Sequence, residues 1–194
     1  MSGNGRRPIR IAHVIQNLNY GGMERVLHGL ARELPERGFE IHVVVIDFFG
    51  RFAEGLPASV GLHQAPPMSR YSLLYPKELA GVLRAIQPDL VHSHAGIWLK
   101  CVRAARLAGV PVTVHTDHGR PDPVGLVDRV VDNLASRSTD VVIAVSDALA
   151  GVLRRQVVHD PTRIRVIING VDTARAAPSP AERAAFRAQL GLPD

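Results

Sequence analysis

The sequence predicts an α/β protein: a doubly wound, mainly parallel sheet in a single domain with a short helical tail. Three observations carry this. Short, nearly continuous apolar runs rich in β-branched residues recur along the chain, as in strands buried on both faces of a parallel sheet. Between them lie segments whose apolar residues fall at helical spacing. Gly and Pro separate the two kinds of segment, and strands alternating with helices at this interval imply parallel strands joined by crossovers. At 194 residues the chain is long enough for one well-buried domain and too short for two of usual size.

The first apolar run is Arg10–Gln16 (RIAHVIQ), and the turn after it, NLNYGGMER, holds the adjacent glycines Gly21 and Gly22. Glycines at a strand-to-helix turn let the backbone approach a ligand, and the helix start offers unpaired N–H groups and a positive dipole end. A tight turn with no ligand would read the same way. Met23, Val26, Leu27, Leu30, Ala31 and Leu34 then mark one helical face, ended by Pro35 and Gly38. Glu40–Asp47 (EIHVVVID) is the second buried strand. From Phe48 to Tyr75 the pattern is irregular, with one short strand at Val60–Ala65 before Pro66-Pro67. A helix over Lys77–Gln87 stops at Pro88, DLVHSH (Asp89–His94) is a strand, and Ile97–Ala108 is a helix capped by Gly109. PVTVHT (Pro111–Thr116) is a strand, His118–Gly125 a Gly/Pro-rich loop, Leu126–Ser136 a helix and Asp140–Val145 a strand. Ser146 is a natural N-cap for a helix through Val157, and Arg163–Ile168 is the last strand, leading into Asn169-Gly170-Val171-Asp172. Beyond Thr173 the composition turns to Ala, Arg and Pro, and Pro180–Leu190 can form a helix.

Composition narrows the function. Apolar residues at 46% and charged ones at 21% describe an ordinary globular protein. Cys101 is the single cysteine, so neither an intramolecular disulfide nor a cysteine-rich zinc site is available, and a reducing cytoplasm is expected. No apolar segment has the length of a signal-peptide core or a membrane span. The net charge of +5 favours anionic partners, but the basic residues are scattered and no basic–aromatic interleaving occurs, so nucleic acid is not expected. Trp98, Lys100, Arg103 and Arg106 form a basic helix stretch that reads first as solvated and otherwise as a peripheral contact with an anionic membrane.

In a doubly wound sheet, ligands bind beyond the carboxyl ends of the strands. The Gly21-Gly22 loop, His92 and His94, and His115 to His118 all lie at such ends and should share one crevice. His118, in HTDHG, is the candidate for chemistry, because a histidine there can position a hydroxyl, donate to an anion or act as acid or base. The alternative is a histidine that only bonds the loop backbone. His115 should face different surroundings, given the strand period of two. His92, His94 and His118 can be imagined as a zinc site, but no HExxH or comparable carboxylate motif accompanies them, and no metal or other cofactor is expected. His13 and His42 are expected in the core, while His28, His63 and His159 carry no motif. GGMERV stands where a dinucleotide fold has GxGxxG, which weakens NAD binding even though Asp47 could meet a ribose. GxSxG is absent.

Five segments in register resemble the amino-terminal domain of the family 4 glycosyltransferases, retaining enzymes with two Rossmann-like domains in the GT-B architecture. GGMER resembles the GGxE loop, PDLVHSH the PDxVHxH strand, VTVHTDHG the TxHG-type strand end, VIAVSDAL the xVSxxL helix start and IINGVD the NGVD segment. The resemblance assigns residues 9–172 to an acceptor-side Rossmann domain and 173–194 to a linker into a donor-binding domain that nothing here matches. It implies transfer of a sugar from a nucleotide-sugar donor to a sugar or lipid-linked acceptor with retention. Gly21 and Gly22 would meet the donor's phosphate or sugar, and His118 would contact the donor sugar near the reacting centre. Tyr20, His94, Arg120 and Asp122 are placed at the acceptor mouth by position. A chain of this extent is expected to be a truncated or split enzyme, binding donor poorly and inactive without a C-terminal half. The alternatives are a non-catalytic nucleotide-binding Rossmann module and a histidine-based metal enzyme.

Overall fold

The computed structural model describes residues 7–19, 21–69, 71–171, 173 and 179–193. Tyr20 and Asp172, both singled out above, lie outside the described residues.

Seven strands form one sheet: β1 (Ile9–Asn17), β2 (Phe39–Phe48), β3 (Gly61–Gln64), β4 (Leu90–His94), β5 (Val112–Asp117), β6 (Val141–Ala144) and β7 (Ile164–Val166). Their order is β3-β2-β1-β4-β5-β6-β7, and all pairs are parallel. The α-helices bounded within the described residues are α1 (Gly22–Glu33), α2 (Lys77–Ile86), α3 (Trp98–Ala108), α4 (Leu126–Ser136), α5 (Asp147–Gln156) and α6 (Pro180–Gln189). From β1 the chain runs outward to β2 and β3, returns through α2 to β4, and then proceeds the other way. The connections after β1 and β4 therefore diverge, which opens a crevice at the carboxyl ends of these two neighbours.

Alternate residues of β1 serve two layers. Ile11 and Ile15, with Ile41, Val43 and Val45 of β2, pack on Leu27 and Ala31 of α1. Ala12 and Val14, with Val44 and Ile46, pack on Leu79 and Leu83 of α2 and on Cys101, Ala104 and Ala105 of α3. Burial on both faces is why these strands read as continuous apolar runs. A third cluster joins Trp98, Leu99 and Val102 of α3 to Val142 and Ala144 of β6 and to Leu149 and Leu153 of α5. Ser146 caps α5 as expected, its Oγ accepting the Leu149 N–H at 3.2 Å.

Two expectations change. The helix expected from Ile97 opens as a 3-10 turn over Ala95–Ile97, and α3 starts at Trp98. The basic stretch on it is no membrane face. Trp98 is 1% exposed, whereas Arg103 donates to the Leu73 carbonyl at 2.6 Å and Arg106 to Ser138 Oγ at 3.0 Å. At about 100° per residue, Trp98 and Lys100 stand roughly 200° apart on the helix, so they cannot share a face. The helix expected over Leu126–Ser136 forms as α4, and its only buried residues are Ala135 and Ser136. Leu126, Val127, Val130 and Leu134 point outward instead, the first two 74% exposed.

Candidate functional site

His118 is held by the turn that ends β5. Asp117, 3% exposed, accepts the Gly119 N–H through Oδ1 at 3.0 Å and the Arg120 guanidinium through Oδ2. Arg120 reaches on to Asp132 of α4 at 2.9 Å. Gly119 stands at φ 142°, a conformation that L side chains rarely adopt, so the glycine of HTDHG is a backbone requirement. The turn leaves His118 half-buried at the carboxyl edge of the sheet.

Behind it the imidazoles form a chain. His118 Nε2 and His94 Nδ1 are 3.1 Å apart, and His94 Nε2 and His13 Nδ1 are 3.2 Å apart. The register explains the meeting, because His13 pairs with His92 across β1 and β4, and His94 lies two residues further on the same face. His92 joins the cluster from the side, its ring 4.3 Å from that of His94 and its Nε2 bonded to Thr116 Oγ1 at 2.7 Å. Burial pushes His13 down to about 4 and holds His92 and His94 well below the usual imidazole value, with mutual repulsion adding to it for the latter two. Burial lowers His118 as well, while the Asp117 charge opposes that shift. All four are neutral at pH 7.

His115 faces the opposite layer. Its ring stacks on Trp98 at 4.0 Å and an interplanar angle of 5°, and Nδ1 meets Ser93 Oγ at 2.9 Å. The alternation expected between His115 and His118 holds.

The glycine turn sits beside this chain. β1 and β5 flank β4, so their ends are about 10 Å apart. Gly21 is the N-cap of α1, extended at φ −172°, with no side-chain cap, and the Glu24 carboxylate folds back over it. The turn is braced from behind by Gly50, where a Cβ would strike the Leu18 carbonyl and the Asn19 backbone, and by the Phe52 N–H to Leu18 carbonyl bond at 3.2 Å. Ala95, directly after His94, stands at φ 53°, a left-handed alanine at the strand end and a strained position of order 1 kcal/mol.

The residues expected at an acceptor mouth separate. His94 is 1% exposed and reaches the crevice only through His118. Arg120 has a side chain 12% exposed and is spent on Asp117 and Asp132. Both corrections have one cause: these polar groups are needed to hold the turn and the strand end. Asp122 stays at the surface, accepting from Gln156 Nε2 at 2.7 Å. An open cleft of about 660 Å³ lies instead at the ends of β1, β2 and β3, lined among others by Gln16, Asp47, Gln64, Ser69, Ser72 and Lys100. Gln16 donates to Asp47 at 2.6 Å and Gln64 to the Asp47 carbonyl at 2.7 Å. The cleft matches no motif because its polar residues come from five separate segments; a polar residue near the end of a strand was the signal for Gln16, Asp47 and Gln64.

His13, His92 and His94 offer nitrogens within 4.8 Å of one another, the histidine group among the described residues nearest to a metal site. An ion there would displace the His13–His94 bond, and the group holds no carboxylate to offset its charge.

Comparison with known proteins agrees with this architecture. The family described as Glycosyltransferase Family 4 matches residues 20–175. A UDP-Gal:alpha-D-GlcNAc-diphosphoundecaprenol alpha-1,3-galactosyltransferase of Escherichia coli is 31% identical over 185 residues, covering 88% of this chain and 47% of that protein. A D-inositol 3-phosphate glycosyltransferase of Salinispora tropica is 31% identical over 90% of this chain and 42% of its own length. Anabaena HepE, solved in complex with UDP and glucose, shares the fold at a TM-score of 0.72 and 24% identity, over 94% of this chain and 50% of that one. The chain spans about half the length of the curated relatives it matches. Its fold, its motifs and these matches together place the chain in glycosyltransferase family 4.

Proposed function

We propose that this chain is the acceptor-side half of a retaining glycosyltransferase that uses a nucleotide-sugar donor. The observation that carries the reading is His118 Nδ1, buried and without a partner among the described residues, beyond the end of β5, with the α1 N-terminus following β1, two strands away in the sheet. Departure of a nucleoside diphosphate builds negative charge, which imidazole N–H and helix N-terminal N–H groups stabilise. Gly21 and Gly22 would admit the donor phosphates, displacing the Glu24 carboxylate. The cleft around Gln16, Asp47, Gln64 and Lys100 would receive the acceptor, and the rest of the nucleotide would be held by a donor-binding half. The reading requires no metal ion. UDP-hexose and a diphosphoundecaprenol-linked sugar, the substrate classes in the name of the Escherichia coli relative, are the first to test. The enzyme carrying this chain is expected to give an α-linked product, read by NMR of the new anomeric centre. A β-linked product would overturn retention, and calorimetric binding of NAD in preference to any nucleotide sugar would overturn the donor class.

A lipid-linked acceptor requires contact with a membrane, and no helix among the described residues is long and apolar enough to cross one. The outward face of α4 meets the need: Leu126, Val127, Val130 and Leu134 are exposed, and Arg129, Arg137, Arg154 and Arg155 line the groove beside them. Each arginine near an anionic surface contributes about 1 kcal/mol. Co-sedimentation with phosphatidylglycerol vesicles is expected to exceed that with phosphatidylcholine by at least about tenfold, and to fall to the phosphatidylcholine level in Val127→Asp/Val130→Asp. Equal binding to both lipids would remove this role from α4. Such a contact fits a protein working at the cytoplasmic face of a membrane.

A further inference from the structure

The histidine chain has two ends, and both are orphans. His13 Nε2 and His118 Nδ1 are buried and have no hydrogen-bond partner among the described residues, whereas the nitrogens between them are paired in series. A neutral imidazole carries one N–H and one lone pair, so which nitrogen holds the proton is set by the bond made at the other. In a series of three neutral rings, the choice at any one ring dictates the other two. Only two arrangements keep both internal bonds. In the first, protons sit on every Nε2: His118 donates to His94, His94 donates to His13, and His13 is left with an unpaired Nε2–H. In the second, protons sit on every Nδ1: His13 donates to His94, His94 donates to His118, and the unpaired N–H is Nδ1–H of His118.

Burial decides between them. His13 is 1% exposed and lies on the β1 face that carries Ile11 and Ile15. An N–H stranded there has no acceptor, and buried donors without partners are rarer in proteins than bare acceptors. At the other end His118 Nδ1 is buried too, but its ring is half-buried at the carboxyl edge of the sheet, where a bound ligand oxygen can come against it. The second arrangement puts the bare lone pair in the core and the free N–H at the site.

We propose that His13 and His94 are positioning residues that hold His118 in its Nδ1–H form, so that it presents a hydrogen-bond donor to an acceptor oxygen of the substrate. Its Nε2 lone pair is taken up by the His94 Nδ1–H, so His118 does not serve as a general base toward the substrate. The substrate oxygen rests on the glycosyltransferase reading; the state of the three rings does not.

The test therefore uses no substrate. The 194-residue chain, labelled with ¹⁵N-histidine, is examined at neutral pH by long-range ¹H–¹⁵N correlation, which distinguishes protonated from bare ring nitrogens. His13, His94 and His118 are each expected to show a protonated Nδ1 and a bare Nε2. In His13→Phe, which fills the space and removes the first donor, His118 is expected to shift to a mixture dominated by the Nε2–H form that water favours. His94→Phe is expected to do the same by removing the second donor. His115, on the other face of the sheet, reports whether each variant is folded and should keep its wild-type pattern. An Nε2–H His118 in the wild type would overturn the proposal, as would an unchanged His118 in a folded variant of either kind. Because the wild-type spectrum decides by itself, the outcome does not depend on either variant folding. Loss of transferase activity with the predicted spectrum intact would count against the function, not against the chain.

Discussion

His118→Ala, made in the enzyme that carries this chain, is expected to lower kcat/KM for sugar transfer by about 100- to 1,000-fold, the usual cost of removing one preorganised donor from a transition state. Folding should be little affected. The ring is half-buried and one of its nitrogens has no partner among the described residues, so its removal forfeits one hydrogen bond and part of one side chain, of order 1–2 kcal/mol. His118→Gln, whose amide also donates, should recover part of the rate. Steady-state kinetics with saturating donor check this, and a loss below about tenfold in His118→Ala would show that the ring only shapes the loop. A general base would behave differently, since Gln could not replace it and the rate would follow the histidine's titration.

Acid is expected to unfold the domain well above the range in which carboxylates protonate. Burial lowers His13 to about 4 from an ordinary 6.5, and holds His92, His94 and His115 well below that value. Between the two values the unfolded chain binds protons that the folded one refuses, so stability rises with pH in that window. The contribution is fully present above 6.5 and disappears as pH falls toward the folded value; for His13 alone it is of order 3 kcal/mol. Four such groups acting together give a slope approaching about 5 kcal/mol per pH unit, against a total stability of order 5–15 kcal/mol. Urea midpoints at pH 7.5, 6.5 and 5.5 are expected to fall steeply. Equal midpoints over that range would mean that the cluster is protonated in the folded state. Replacing His13 by Phe should flatten the slope by about one proton's worth, which connects this measurement to the tautomer experiment.

Much of the fold was legible in local pattern. The runs RIAHVIQ, EIHVVVID and DLVHSH became β1, β2 and β4 to within a residue or two, because burial on both faces demands apolar residues at every position and few other environments do. Ser146 was readable as a cap because an N-terminal hydroxyl has one geometric use. The membership of Gly21, Gly22, His94 and His118 in one neighbourhood followed from strand ends alone. What those residues do inside it did not follow. His13 read as ordinary core because a sequence gives no cross-strand register, and only the pairing of His13 with His92 brings it onto His94. Arg120 read as an acceptor-mouth residue because its partners Asp117 and Asp132 are indistinguishable in sequence from solvated acids. The outward stripe of α4 was not legible, because helical periodicity reports that a helix has an apolar side, not what covers it.

The sequence by itself thus determined the alternation of strands and helices, the parallel sheet, the family and the histidine at the end of β5. Each of these depends on residues near one another in the chain, where steric and hydrophobic preferences act locally. Tertiary structure alone decided which polar groups are spent on one another and which remain available. That division depends on register between β1, β4 and β5 and on burial, quantities that exist only once distant segments are packed. It leaves Arg120 and His94 inside, the cleft at Asp47 open, and His118 as the end of the imidazole chain that faces the crevice.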